Sequence, residues 1–244
     1  MLCAQRLYLF TFAIRPQSNL PVPGFLIQTR NAAGRVLNVL VDTGFSRSMI
    51  TGPEGDRAGW RVTEDSHVVA QLALAGLEPA QIDGVICTHL DPDHAGGHGE
   101  FPQAEFIIQR SHLAVARESG APRFGMPRAK WNDPRLCYRE VDGDAEVLPG
   151  VRVIESSGHV IGHQSVLVML PETGAWLLAG DAISFSHLAD PEGRPMGAHD
   201  MDEPSLRAST RKLLDIAARE RAHIIFGHDR DQWVGLRKAP EFYA

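Results

Sequence analysis

The spacing of apolar residues predicts a chain in which short strands alternate with helices. Runs enriched in β-branched and aromatic residues predict strands at about 6–14, 24–30 and 36–41. Apolar positions at near-helical spacing predict an amphipathic helix over 65–77, and the short apolar run at 85–87 predicts a strand buried on both faces. A β-rich opening followed by this alternation indicates an α/β fold.

The rest of the chain continues the alternation, with strands predicted at 105–109, 151–155, 165–170, 175–179 and 223–226 and helices at 111–118 and 204–219. One irregular zone, 119–137, contains Pro122, Phe124, Met126, Pro127 and Trp131, and it is either a lid over a pocket or a surface excursion. No repeat, low-complexity segment or linker divides the sequence, so residues 1–244 are expected to form a single domain.

Composition and charge narrow the classes of partner. Hydrophobic residues make up 43% and charged residues 22% of the chain, which is typical of a globular protein. The formal net charge of −6 disfavours nucleic acid, because phosphate binding needs clustered Lys and Arg. No run approaches the roughly 18 to 20 apolar residues that span a bilayer, and the apolar opening lacks the basic start and cleavage site of a signal peptide. The widely spaced Cys3, Cys87 and Cys137 indicate reduced thiols, and we therefore expect a cytoplasmic protein without membrane contact.

The strongest chemical signal directly follows the predicted buried strand, in the segment Thr88-His89-Leu90-Asp91-Pro92-Asp93-His94-Ala95-Gly96-Gly97. In an extended segment His89, Asp91 and Asp93 can face one way, while His94 follows a turn and can reach a second ion. Neutral imidazoles and carboxylates are the usual ligands of catalytic zinc and related ions. The segment therefore indicates a metal site, and a polar loop with incidental histidines is the alternative.

Three later motifs each place a ligand-type residue beside a glycine at the end of a predicted strand. They are Ser157-Gly158-His159, with Gly162-His163-Gln164-Ser165 just beyond it, Ala179-Gly180-Asp181, and Phe226-Gly227-His228-Asp229. Glycine allows the backbone to turn tightly at such a position, and open α/β sheets place ligand sites at strand ends. The motifs together supply seven ligands for two metal ions, namely His89, Asp91, Asp93, His94, His159, Asp181 and His228.

The order of these motifs, His-x-(His)-x-Asp-His, then Gly-His, then Asp, then Gly-His, resembles that of the metallo-β-lactamase superfamily over nearly the whole chain. Within the superfamily the sequence is most similar to the N-acyl homoserine lactonases. The segments that carry this similarity are 19–22, 41–44, 146–151, 158–165 and 226–229. The resemblance implies an αββα four-layer sandwich with the metals at one edge of the two sheets.

The resemblance also implies a role for each ligand. Three residues would hold each of two divalent metal ions: His89, Asp91 and His159 the first, and Asp93, His94 and His228 the second. Asp181 would bridge the two ions. Asp42 would support the site without binding metal, and His163 would brace the loop that bears His159.

Asp91 departs from the family pattern, because it stands where the usual motif has a second histidine. An additional carboxylate weakens the metals as Lewis acids and shifts the preference from zinc toward manganese or iron. Flavodiiron proteins, which share the superfamily fold, carry a carboxylate at this step and use iron. Zinc remains the first expectation, with manganese and iron as alternatives.

Ser184 is the second departure, because the lactonases that the chain resembles place a tyrosine there to contact the substrate. A serine hydroxyl reaches several ångströms less far, so either another donor or a water molecule takes that role, or the substrate differs. His187 and Tyr138 are the candidate donors.

The resemblance predicts a dinuclear metal-dependent hydrolase that opens a lactone ring, most similar in substrate to the N-acyl homoserine lactonases, by attack of a metal-bridging hydroxide. The expected catalytic residues are Asp93, which would orient the nucleophile or shuttle its proton, Asp181 and Ser184. One alternative is a hydrolase of a different lactone or ester, and another is a metal-binding or redox protein without hydrolytic activity. The expected partner is a small lactone or ester.

The entry loop offers an apolar surface whose role stays open at the level of sequence. Leu20, Val22 and Phe25 either line a pocket for an acyl chain or close the core. Oligomeric state is likewise undetermined by the sequence.

Overall fold

Two β-sheets form the centre of the computed structural model, which describes residues 3–51, 56–125 and 128–244. The first sheet has six strands in chain order: β1 (Arg6–Arg15), β2 (Leu20–Arg30), β3 (Val36–Val41), β4 (Gly84–Ile86), β5 (Glu105–Gln109) and β6 (Cys137–Val141). β1, β2 and β3 pair antiparallel, whereas β3 to β6 run parallel. Parallel pairing requires crossover connections, and helices supply them here.

The second sheet contains the last five strands: β7 (Ala145–Leu148), β8 (Val151–Glu155), β9 (Gln164–Leu170), β10 (Gly174–Gly180) and β11 (His223–Phe226). Its strands pair antiparallel except for β10 and β11, which are parallel and connected through a long helix. The parallel pair brings the carboxyl ends of β10 and β11, and with them Asp181 and His228, to one edge of the sheet.

The helices are α1 (Val68–Leu74), α2 (Pro92–Ala95), α3 (Arg110–Glu118), α4 (Pro122–Gly125), α5 (Arg128–Trp131), α6 (Glu203–Glu220) and α7 (Arg230–Gly235). Asp202 caps the N-terminus of α6 by accepting a hydrogen bond from the Ser205 backbone N–H at 3.3 Å. Among the described residues, none of the helices combines the length and the apolar character that crossing a bilayer requires.

Three apolar clusters show how the layers are stacked. Residues of both sheets, among them Ile27 and Val166, share the central cluster. The other face of the first sheet packs on α1 and α3, where Leu72 and Leu113 are buried. The outer face of the second sheet packs on α6 through residues that include Leu213. The order is therefore helices, sheet, sheet, helix, as the αββα prediction requires; that residues 1–244 form one domain stays a prediction.

The packing shows where the irregular zone 119–137 and the apolar residues of the expected entry loop lie. Phe124 on α4 and Trp131 on α5 are fully buried against the first sheet, so the irregular zone 119–137 is anchored in the core, while Met126 and Pro127 lie outside the described residues. The expected entry loop is part of β2, where Leu20 is partly buried, whereas Val22 is a core residue on one face of the first sheet and Phe25 on the other. Both close the core.

Candidate metal centre

The candidate ligands lie in loops that leave β4, β8, β10 and β11 at the same edge of the two sheets. Two glycines allow these loops to approach each other. Gly180 has φ +56°, and a Cβ there would lie 2.9 Å from His163 Nε2. Gly158 has φ +136°, and a Cβ there would lie 2.3 Å from the backbone of Leu206 at the start of α6. Both positions combine a left-handed backbone with a close contact, so only glycine fits without displacement.

The structure brings six of the seven predicted ligands into two groups of three, in each of which the ligand atoms lie within 4.8 Å of one another. The first triad consists of His89, His159 and Asp181, and the second of Asp93, His94 and His228. Within the second triad, His94 Nε2 lies 3.6 Å from Asp93 Oδ2.

Asp181 faces both triads with different oxygens. Its Oδ2 lies 3.4 Å from His159 Nε2, whereas its Oδ1 lies 3.2 Å from His228 Nε2 and 3.7 Å from His94 Nε2. A carboxylate in this position can offer one oxygen to each of two neighbouring ions.

Asp91, the seventh predicted ligand, lies beside the first triad. Its Oδ2 is 3.4 Å from the Nε2 atoms of both His89 and His159. Two ligand atoms of a tetrahedral zinc ion, each about 2.0 to 2.1 Å from the metal, lie roughly 3.4 Å apart. The spacing of these side chains is therefore that of a zinc ligand set.

Asp42 orients two of the histidines, as predicted. Its Oδ2 accepts hydrogen bonds from His94 Nδ1 at 2.8 Å and from the Thr88 hydroxyl at 2.7 Å. Since the Thr88 hydroxyl donates to Asp42, it accepts from His89 Nδ1, 3.0 Å away. In the neutral form, which is the form that binds metal, both rings are thereby fixed in the tautomer that turns an unprotonated Nε2 toward the site.

The other two histidines are oriented in the same way by different partners. His159 Nδ1 lies 2.9 Å from Asp200 Oδ1, and His228 Nδ1 donates to the backbone carbonyl of Pro21 at 2.8 Å. All four imidazoles therefore present Nε2 to the centre. The role of Asp200 has no signal in the sequence, because it forms no part of a ligand motif.

Three buried atoms of the site lack a hydrogen-bond partner among the described residues: His89 Nε2, His94 Nε2 and Asp181 Oδ1. Leaving buried polar atoms unpaired is costly, and metal coordination removes that cost. Together with the tautomers and the spacing, this observation shows that the residues present fit a metal centre.

The electrostatics of the triads follow from burial and from mutual proximity. Burial lowers the pKa of His89 to about 3, so its imidazole is neutral and able to bind metal. Burial opposes the charge on Asp181, but the imidazolium forms of His228, His159 and His94 hold the pKa of its carboxyl well below its usual value. The pKa of Asp93 is raised, chiefly by burial.

His163 braces the site through a chain of hydrogen bonds whose direction is determined. The Ser165 hydroxyl donates to the Ala179 carbonyl at 2.8 Å, so it accepts from Ser156, whose hydroxyl in turn accepts from His163 Nδ1 at 2.9 Å. His163 Nε2 is then free to accept the Asp181 backbone N–H at 3.2 Å. The ring therefore ties the end of β8, before the His159 loop, to the Asp181 loop.

The donors considered as replacements for the missing tyrosine lie in different places. The Ser184 hydroxyl donates a long hydrogen bond, 3.4 Å, to the carbonyl of Asp181. Tyr138 donates to the carbonyl of Trp131 at 2.5 Å and packs on Phe106 in the core, so it is not available to a substrate. His187 is exposed and stacks on Phe185.

Arg123 is a functional-site residue that the sequence did not reveal. It lies on α4 within the zone 119–137, and its guanidinium forms a two-point ion pair with Asp91. Its Nη2 also lies 2.9 Å from His159 Nε2. An arginine that is 32 residues away from its partner matches no ligand spacing, so only the folded chain shows the pair.

Comparison with known proteins agrees with this geometry. The sequence model of the metallo-beta-lactamase superfamily matches residues 33–228. An N-acyl homoserine lactonase from Bacillus cereus is 33% identical over 233 residues, which cover 92% of this chain and 87% of its own. The N-acyl homoserine lactonase AttM of Agrobacterium fabrum is 35% identical over 243 residues, which cover 92% and 88%. The chain therefore belongs to the metallo-beta-lactamase superfamily.

Within this superfamily, the chain is similar to solved structures of lactonases. A quorum-quenching N-acyl homoserine lactone lactonase, 28% identical, matches with a TM-score of 0.85 and covers 100% of both chains. An N-acyl homoserine lactone hydrolase with N-hexanoyl-L-homoserine bound at its catalytic metal centre, also 28% identical, matches with a TM-score of 0.84 over 99% of this chain and 100% of its own. The predicted fold is confirmed, and so is the prediction of a metal-dependent hydrolase similar to the lactonases.

Proposed function

We propose that this chain is a dinuclear metal-dependent lactonase that opens the ring of an N-acyl homoserine lactone. The observation that carries the proposal is the placement of Asp181, with one oxygen toward His159 and the other toward His94 and His228. The lactonases among its relatives support the choice of substrate class.

In this proposal His89, Asp91 and His159 would hold the first ion, Asp93, His94 and His228 would hold the second, and Asp181 would be a ligand of both. Four imidazoles favour zinc, while the third carboxylate keeps manganese and iron as alternatives. When bound, the ions would lower the pKa of a water molecule and polarise the ester carbonyl.

Ring opening joins a water oxygen to the carbonyl carbon and breaks the ring carbon–oxygen bond. A proton must therefore pass from the water to the leaving alkoxide. Asp93 is the proposed carrier, because its carboxylate lies among the ligand atoms of the second triad, where it could accept a proton from the water. Ser184 is the proposed donor toward the substrate, since among the described residues its hydroxyl makes one long hydrogen bond, to the Asp181 carbonyl.

The experiment is ring opening of one short-chain and one long-chain N-acyl homoserine lactone, followed by proton release, with protein loaded in turn with zinc, manganese, cobalt and iron. Turnover of either lactone is expected. The proposal fails for this substrate if protein that holds two ions per chain opens neither.

The ligand roles are tested by His89→Ala and Asp181→Asn, each of which removes an atom that faces the centre. We expect ring opening to fall about a hundredfold or more with the fold retained by circular dichroism, since even indirect supports of metal ligands contribute 10- to 100-fold. His223→Ala is the control, because His223 is exposed and begins β11 at the end opposite His228. Full activity in both ligand variants would contradict the proposed centre.

A different lactone or ester is the second candidate substrate, and the observation that favours it is Ser184. A panel of lactones and esters offered to the same metal-loaded protein separates the two candidates. A cytoplasmic location stays a prediction from the cysteine usage.

A further inference from the structure

Asp91 and Arg123 form an ion pair that is largely withdrawn from solvent. The exposed fractions of their side chains are 12% and 18%. Arg123 Nε donates to Asp91 Oδ1 at 2.7 Å, and Nη2 donates to Oδ2. Planar two-point pairing of this kind is specific to arginine and a carboxylate.

The pair is directed at the first triad. Asp91 Oδ2 is the oxygen that lies 3.4 Å from His89 and His159, while Oδ1 points to Arg123 Nε. Asp91 Oδ2 therefore lies at ligand spacing, while the guanidinium of Arg123 holds both oxygens of the carboxylate.

The guanidinium is held in place by its surroundings. Arg123 Nη1 donates to the backbone carbonyl of His199 at 2.8 Å. The next residue, Phe124, is buried and meets the ring of His112 edge-on at 5.6 Å. His112 in turn accepts the backbone N–H of Leu90 at 2.9 Å, beside Asp91. The contact between Phe124 and His112 therefore connects the backbone beside Arg123 to the backbone beside Asp91.

The ion pair affects the net charge of the metal centre. Two divalent ions with three carboxylate ligands, Asp91, Asp93 and Asp181, leave one positive charge. With a neutral histidine at position 91, as in the pattern that the chain resembles, two positive charges would remain. The guanidinium of Arg123 supplies the missing one.

We propose that Arg123 is a positioning residue that offsets the carboxylate of Asp91, so that the exchange of histidine for aspartate leaves the net charge of the metal centre unchanged. This inference rests on the proposed function in so far as it takes the triads to be metal ligands. It implies that Asp91 and Arg123 act as a unit: changing either residue alone unbalances the site, and changing both together restores it.

The test is the affinity of the full chain for zinc, measured by competition with a chelator in the absence of substrate. Arg123→Met leaves the carboxylate uncompensated, so zinc should bind about tenfold or more tightly while ring opening becomes slower. Asp91→His leaves an unpaired guanidinium beside the ion, so zinc should bind about tenfold or more weakly. The double variant Asp91→His/Arg123→Met should return to within about threefold of wild type.

Tighter zinc binding combined with slower turnover distinguishes charge compensation from a merely structural role, because structural disruption would lower both the zinc affinity and the turnover rate. Arg110→Met is the matched control: it removes an arginine from an exposed pair with Glu140 and should leave zinc affinity unchanged. Zinc affinity in Arg123→Met that is equal to or weaker than wild type would overturn the inference, and so would wild-type affinity in Asp91→His alone.

Folding is checked separately by circular dichroism. Arg123→Lys keeps the positive charge, so its zinc affinity should stay within about threefold of wild type. If Arg123→Met does not fold, the zinc affinities of Arg123→Lys and Asp91→His test the charge compensation instead. Because zinc affinity is measured without substrate, absence of ring opening in wild-type protein would contradict the proposed substrate and leave this test intact.

Discussion

At the scale of single residues, the site is determined by which nitrogen of each histidine carries the proton. A carboxylate, a hydroxyl or a backbone carbonyl occupies every Nδ1, and so every Nε2 faces the centre. Asp42 contributes to two of the four rings from a single carboxylate. Its left-handed backbone, φ 59°, is one that aspartate and asparagine tolerate better than most residues.

Asp42→Asn is expected to lower zinc affinity by about 10- to 100-fold. An amide with its NH₂ at the Oδ2 position cannot accept from His94 and the Thr88 hydroxyl. With its NH₂ at the Oδ1 position it cannot accept the Thr88 backbone N–H, so one support of the histidines is lost in either orientation. Chelator competition measures the loss. Asp83→Asn is the control, because Asp83 pairs with Arg35 at the surface, and equal zinc affinity in the two variants would contradict this role.

A buried histidine outside the ligand set gives a dependence of stability on pH. His98 donates from Nδ1 to Thr43 and lies 3.3 Å from the Cys87 sulfur, and burial lowers its pKa to about 3. Its pKa in the unfolded chain is about 6.5, so the unfolded state takes up a proton first as the pH falls. Stability that is fully present above pH 6.5 is therefore lost progressively toward pH 3.

Between pH 7.5 and pH 5, wild type should lose roughly 2 kcal/mol more free energy of unfolding than His98→Asn, which cannot titrate. Urea unfolding of both proteins at the same zinc concentration measures the difference, since metal loss is then common to both. Parallel pH dependences would show that His98 contributes nothing to acid sensitivity.

The partners that orient the ligands could not be predicted from the sequence, because they lie far from the ligands along the chain. Asp200 lies 41 residues from His159, and Arg123 lies 32 residues from Asp91. The ligands themselves cluster in recognisable motifs, but the groups that orient and balance them are brought in from loops of arbitrary length. Short-range spacing carries no information about such partners.

At the scale of elements, the apolar pattern located nine of the eleven described strands and missed β6 and β7. The predicted strands at 36–41, 105–109 and 151–155 are confirmed to the residue. β6 was missed because Cys137–Val141 is mostly exposed and polar, and the helix predicted over 65–77 is confined to Val68–Leu74. Exposed edge elements are specified by their neighbours more than by their own periodicity.

The contact between the His159 loop and α6 is the element-scale feature on which the first triad depends. Gly158 accepts hydrogen bonds from the backbone N–H groups of Met201 and Asp202, both at 2.9 Å, and has no room for a Cβ against Leu206. The loop is therefore docked directly on the N-terminus of α6.

Gly158→Ala should displace this loop and reduce bound zinc from about two ions per chain toward one. Elemental analysis of dialysed protein measures the change. Gly143→Ala is the matched control, because Gly143 also has a positive φ, 70°, but an added Cβ there meets no atom within 4 Å. Two ions per chain in Gly158→Ala would show that the first triad does not depend on this docking.

At the scale of the whole molecule, two sheets with one shared core bring the carboxyl ends of β4, β10 and β11 to a common edge. The sequence contained the ligands in chain order, but their meeting requires both sheets to be folded and packed. The sheets thus act as a rigid frame, and the chemistry belongs to the loops that they position.

The central claim is that two ions, joined through Asp181, open a lactone ring. Its most direct test is a titration of metal-free protein with zinc while ring opening of N-hexanoyl homoserine lactone is followed. The account predicts that the rate rises until about two equivalents have been added and then stays constant. A plateau at one equivalent, or no ring opening at any ratio, would contradict it.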